Sequence, residues 1–215
     1  MVDYKILDGK KASLAIKKEL KERVEEQVSK GGKRPHLAAV LVGDDGASKT
    51  YVTAKSKACD ASGFDNSTLK FKTSITEDEL LIEIEKLNNN DKIDGFIVQL
   101  PLPEHIDSDK ILKAISPLKD VDGFHPINVG KMTLGLDTYL SATPYGIMML
   151  LQQNGIETIG KHCVIVGNSN IVGTPMTLLL NKMGRATTTN CHVDTVNLAN
   201  FTKQADILVV AVGKP

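Results

Sequence analysis

Residues 162–175 read HCVIVGNSNIVGTP. An apolar run climbs to Gly167, a short polar turn follows, and Gly173 and Pro175 close it. A run of that length between turn signals is a buried strand, and helical periodicity takes over after Gly173. The pattern then repeats: a helix over 173–183, a strand over 186–192 (ATTTNCH), a weak helix over 195–204 and a strand over 206–213 (DILVVAVG). This β-α-β-α-β alternation is half of a doubly wound parallel sheet. A strand, a turn of small residues and a helix N-terminus are together what phosphate binding requires. The glycines are six apart, one more than the G-x-G-x-x-G fingerprint allows, and Ser169 stands where its middle glycine would be. Gly167 is expected to permit the tight turn and Gly173 the close helix–strand packing. Ser169 offers a hydroxyl where a glycine offers only space. The plain alternative is an ordinary βα turn with glycines for steric reasons.

In such sheets an acid about 20 residues on, at the end of the second strand, takes the ribose hydroxyls. Here that end reads NCHVD, with Asp194 its only acid and somewhat late. A basic residue in the same place would take a 2′-phosphate, and Val193 cannot. These residues leave NAD and NADP both open.

The first 120 residues also alternate. A helix is expected over 11–29 and a strand over 36–43. A helix follows over 48–62, with Ser48 as its N-cap and Gly63 as its stop. A strand over 66–72 leads to a helix over 76–90 opened by a Thr76–Glu79 capping box. A buried strand over 94–100 ends in PLPEH, and a short helix covers 107–116. Residues 120–143 hold turns and little periodicity. A helix over 143–155, with Pro144 at its first position, bridges to the second domain. The expectation is therefore an α/β chain, with an N-terminal domain over 1–142 and a Rossmann-like domain over 143–215. Its third strand runs to the end at Pro215, which predicts a fragment of a longer protein.

Lys+Arg and Asp+Glu both count 26, so no net charge favours a nucleic-acid surface. No apolar run approaches the ~20 residues of a membrane span, and the N-terminus lacks an apolar signal core. The cysteines, Cys59, Cys163 and Cys191, are odd in number and widely spaced, without a disulfide framework or a metal-ligand spacing. A cytoplasmic protein without a metal is the simplest expectation.

Tyr51 and Lys55 stand four apart on the expected helix, which puts both on one face. With Lys57 two residues on, a solvated surface helix is the competing explanation. Gln99, Leu100 and Pro101 sit at the C-terminal end of a buried strand, where open α/β sheets bind ligands. KDVDGF (119–124) puts Asp120 and Asp122 beside a glycine turn, too few acids for a metal site alone.

Six motifs in one order, YVTAKSKA, VQLPLP, KDVDGF, Thr143-Pro144, VGNSNIVGTP and DILVVAVGKP, resemble the methylenetetrahydrofolate dehydrogenase/cyclohydrolase family. The resemblance runs from ILDGKKAS onward. It implies oxidation of 5,10-methylenetetrahydrofolate to the methenyl cation by a nicotinamide cofactor, then hydrolysis to 10-formyltetrahydrofolate. It makes Lys55 the general acid/base of the hydrolysis, with a pKa lowered by burial or a hydrogen-bonded neighbour. Gln99 would orient that amine, and Tyr51 would stack on the pterin or p-aminobenzoyl ring. Asp122 would accept hydrogen bonds from the pterin, and Ser48, Leu100 and Pro101 would support the site. Thr143, Gly167, Asn168, Ser169, Ile171, His192, Ala211, Val212 and Gly213 would hold the cofactor. The family habit implies NADP, with NAD the alternative, and a homodimer through the second domain. Many members carry Arg in place of Asn168 and a polar or basic residue in place of Val193, both candidate grips on a 2′-phosphate. Family members also continue some 70 residues further. Two other readings stay open: a related two-domain dehydrogenase, against which QLPLP and KDVDGF count, and a non-catalytic folate- or nucleotide-binding remnant, against which intact Lys55 and Gln99 count.

Overall fold

The computed structural model describes residues 4–213. They fall into two compact units: Lys10–Val121, and the chain from Asp122 onward together with the residues before Lys10. Among the described residues no helix is long and apolar enough to cross a membrane.

The first unit contains α1 (Gly9–Ser29), β1 (His36–Val42), α2 (Gly46–Ala61), β2 (Asp65–Phe71), α3 (Glu77–Asn88), β3 (Gly95–Val98) and α4 (Ser108–Ala114). β1 lies in the middle, with β2 and β3 parallel on its two sides. Successive strand side chains alternate between the faces of a sheet. Ala38, Val40 and Val42 of β1, with Phe96 and Val98 of β3, therefore face Leu80 and Ile84 of α3 and Ile111 of α4. Ala39, Leu41 and Ile97 face the other way, onto Val52 of α2. Helices cover both faces, which is why these strands read as unbroken apolar runs. α3 opens on the expected capping box: the Glu79 N–H donates to Thr76 Oγ1 at 3.2 Å and the Thr76 N–H to Glu79 Oε2 at 2.8 Å.

The second unit contains α5 (Pro126–Leu134), α6 (Ala142–Gln153), β4 (His162–Val166), α7 (Gly173–Lys182), β5 (Thr187–Cys191), α8 (Leu198–Thr202) and β6 (Ile207–Val210). Its sheet order is β5-β4-β6, all parallel. Cys163 and Ile165 of β4 pack with Met176 and Leu180 of α7 and Leu151 of α6, and Leu7 joins them from the N-terminal residues. On β6, Val209 is buried while Leu208 and Val210 stay exposed.

Three local expectations need correction. The residues from 120 to 143 are not all turns: α5 forms there, with His125 Nδ1 accepting the Ile127 N–H at 3.1 Å and Gly135 ending it at φ 71°. Pro at N1 and Gly at the stop were its signals. Pro144 is the third residue of α6, not the first. The ring is tolerated there because the first four helical N–H groups have no intrahelical partner. The cap of α2 is Asp45 rather than Ser48.

Phe96 is fully buried between the first sheet and α3 and α4. Phe96→Ala is expected to destabilise the protein by about 3–5 kcal/mol, measured by denaturant unfolding.

Candidate functional site

In both sheets the first strand lies between the other two. The chain thus leaves the first strand toward one edge and later returns to its other side. The carboxyl ends of β1 and β3, and of β4 and β6, are switch points, the places where open parallel sheets bind ligands.

In the first unit, β1 leads through Gly43 into α2, which carries Ser48 in its first turn, Tyr51 in its second and Lys55 in its third. The Asp45 carboxylate anchors this entry by accepting the Ser48 N–H at 2.7 Å. That bond, and a second from the Ser48 side chain, hold the Asp45 carboxyl below the usual aspartate range. Ser48 is buried, Lys55 half-buried, and Tyr51 has 63% of its surface exposed, a free ring face rather than a core side chain. Gln99 comes directly off β3, its N–H donating to the Val40 carbonyl at 2.9 Å. Its amide Nε2 donates to the Leu100 carbonyl at 2.6 Å. Its Oε1 is buried and, among the described residues, accepts no hydrogen bond. An orphaned buried carbonyl oxygen is costly, and it leaves an acceptor open for an amine or a ligand. The Leu100–Pro101 peptide is cis.

Asp122 opens the second unit, followed by Gly123 at φ 71°, against which the backbone of 140–141 packs so closely that a Cβ would lie 2.6 Å from the Leu140 carbonyl carbon. The Asp122 carbonyl accepts the Ala142 N–H at 3.3 Å, and the buried Ser141 hydroxyl donates to the Gly123 carbonyl at 3.2 Å. Thr143 lies in the first turn of α6.

The turn after β4 has the geometry its glycines imply. Gly167 has φ 122°, and a Cβ on it would lie 2.6 Å from the Ala211 carbonyl oxygen. A Cβ on Gly173 would overlap the Gly167 carbonyl outright. Ser169 Oγ accepts the N–H groups of Val172 (3.2 Å) and Gly173 (3.4 Å), so it satisfies donors at the start of α7 that a phosphate oxygen could equally take. Asn168 Oδ1 accepts the Thr174 hydroxyl at 3.1 Å.

Beside this turn lies a cleft of about 970 Å³, lined by Gly167, Asn168, His192, Val212 and Gly213 together with Val193, Asp194, Thr195 and Leu198. Its size suits a nucleotide, and the close backbone approach at Gly167 and Gly173 is the cradle that a phosphate chain needs. Ile171 and Ala211 border the turn without lining the cleft. Lys214 and Pro215 of the AVGKP motif lie outside the described residues. Asn190 is a positioning residue that the sequence pattern did not single out: its Nδ2 donates to the Gly167 carbonyl at 2.8 Å.

Two outcomes follow. Gly173→Ala should lower stability by at least ~2 kcal/mol through overpacking and abolish dinucleotide binding, seen by denaturation and calorimetry. The Asp45 carboxyl is lowered in the folded state, so its contribution to α2 is present above the unfolded pKa and lost as pH falls through the folded one. The protection of the Ser48 amide relative to its intrinsic exchange rate should fall below about pH 4, and Asp45→Asn should remove that dependence.

The tetrahydrofolate dehydrogenase/cyclohydrolase catalytic-domain model matches residues 7–122, and the NAD(P)-binding-domain model of the same family matches 141–215. The bifunctional protein FolD of Cytophaga hutchinsonii is 58% identical over 98% of this chain and 73% of its own length. The crystal structure of the Campylobacter jejuni bifunctional enzyme FolD superposes with a TM-score of 0.94 at 48% identity, over 97% of this chain and 74% of that one. The Trypanosoma brucei dehydrogenase-cyclohydrolase, crystallised with NADP cofactor and inhibitor, gives 0.93 at 35% identity, over 100% of this chain and 74% of that one. With both of its units matched, the chain belongs to the tetrahydrofolate dehydrogenase/cyclohydrolase family.

Proposed function

We propose that the protein oxidises 5,10-methylenetetrahydrofolate to the 5,10-methenyl form with NAD(P)⁺ and hydrolyses that product to 10-formyltetrahydrofolate. What carries this is the family match across both units, combined with chemistry-bearing side chains at the switch point of each sheet.

The dinucleotide, when bound, supplies the hydride acceptor. The chain supplies orientation and exclusion of water. The Gly167–Gly173 turn and the start of α7 would hold the phosphates, and Thr143, Ile171, His192 and Ala211–Gly213 the rest of the cofactor. In the hydrolysis, water adds to the methenyl carbon, the carbon–N5 bond breaks, and N5 gains a proton. Lys55 takes the proton from the attacking water and returns it to N5, while the hydroxyl proton of the adduct leaves to solvent as the carbon–N5 bond breaks and the formyl carbonyl forms. Gln99 Oε1, buried and unpartnered, is the acceptor that would hold the amine or the folate in place as the site fills. Tyr51 presents an exposed ring for stacking. Asp122 would receive the pterin N–H groups, and Ser48, Leu100 and Pro101, in the first unit, are the other proposed folate contacts.

Two coarser features belong to the same reading. Cys59, Cys163 and Cys191 are buried and unpaired, which suits a reducing cytoplasm. A homodimer through the second unit is supported by the family resemblance.

Lys55→Met should abolish methenyl hydrolysis above the spontaneous rate while the circular dichroism stays that of the parent. Unchanged hydrolysis would refute the role. Asp122→Asn should weaken folate binding by about 1–3 kcal/mol, the size of a charged hydrogen bond, as measured by fluorescence titration.

A further inference from the structure

We propose that the cleft beyond β4 and β5 selects NAD over NADP, with Asp194 reading the adenosine ribose. This rests on the proposal that the cleft holds a nicotinamide dinucleotide.

The register of the sheet places the acid. Val166, the last residue of β4, pairs with Cys191, the last of β5, and the Gly167 N–H donates to the Cys191 carbonyl at 2.9 Å. The segments leaving the two strands therefore start side by side, and both line the cleft. Residues 192–195 form a closed turn. The His192 N–H donates to Thr195 Oγ1 at 2.8 Å, the Thr195 N–H to the His192 carbonyl at 3.0 Å, and the Asp194 N–H to His192 Nδ1 at 3.3 Å. This turn fixes the backbone of Asp194 at the rim while leaving its side chain 84% exposed. Asp194 lies 21 residues after Gly173, a little beyond the usual ~20 from a glycine turn to a ribose-binding acid.

Charge decides between the two cofactors. NADP differs from NAD by a 2′-phosphate, which carries nearly two negative charges near neutral pH. Its binding needs a fixed cation, most often an arginine fork. Among the described residues lining the cleft there is no lysine or arginine. The rim positions hold Asn168, Val193 and Asp194 instead. Asn168 already accepts the Thr174 hydroxyl. His192 Nδ1 lies 3.6 Å from Asp194 Oδ2, so any charge on that ring is opposed by the carboxylate beside it. A carboxylate accepts well from the two hydroxyls of an unphosphorylated ribose and repels a phosphate in the same place. The family habit implies NADP; the charges of this cleft point to NAD.

Equilibrium binding of NAD⁺ and NADP⁺ to the whole chain, by titration calorimetry at fixed ionic strength, tests this without requiring turnover. NAD⁺ should bind at least about tenfold more tightly, the scale of one charged hydrogen-bonded contact. Asp194→Ser should weaken NAD⁺ about tenfold and leave NADP⁺ equal or improved, and Asn168→Arg combined with Asp194→Lys should reverse the preference. Equal affinities, or tighter NADP⁺, would overturn the selectivity while leaving the dinucleotide cleft in place. Binding of neither would overturn the dinucleotide proposal itself, and this inference with it.

Discussion

A Cβ built on Gly173 would lie 2.0 Å from the Gly167 carbonyl oxygen. No side chain fits there, so the end of β4 and the start of α7 touch through backbone alone. Much else follows from that contact. It brings the start of α7 back over the end of the strand, lets Ser169 occupy the helix donors, and sets the Ala211 carbonyl against Gly167 on the far side. Asn190 then ties the neighbouring strand to the same turn. A turn gripped from both neighbouring strands is a rigid cradle, and rigidity is what allows a site to orient a reacting group rather than merely bind it.

The two units solve the same problem twice. Each contains a three-stranded parallel sheet, and in each the first strand is central. The reversal of strand order leaves a crevice at the carboxyl end, and each unit fills that edge with different chemistry. The first offers a half-buried lysine, an exposed tyrosine and an orphaned glutamine oxygen. The second offers glycines, helix donors and an acidic rim. On the proposed reading, the amine serves proton transfer in the hydrolysis and the cradle holds the dinucleotide for the oxidation.

The strands were the most legible part of the sequence. β1, β3 and β4 are buried on both faces, so their apolar runs stand out, and the Thr76–Glu79 box marks the start of α3 to the residue. α5 was not legible. It is nine residues long with Gly130 in its middle, so it offers little periodicity, and its Pro and Gly punctuation also suits a loop. The cap of α2 was misassigned because Asp45 and Ser48 are both good cap residues, and only the backbone fold shows which one accepts. The steric roles of Gly167 and Gly173 could be anticipated because only glycine permits what the turn requires. The orphaned Gln99 oxygen could not: whether a buried amide finds a partner depends on side-chain packing that no spacing encodes. Asp194 lay between these cases. Its place in the sequence was visible, but its standing beside the Gly167 turn depends on the strand register.

The most direct test is the growth of methenyltetrahydrofolate absorbance when this chain meets 5,10-methylenetetrahydrofolate and a nicotinamide dinucleotide. The account predicts a rise that requires both substrates, followed by its decay as the methenyl product is hydrolysed. No rise above the dinucleotide-free blank with either NAD⁺ or NADP⁺ would contradict it.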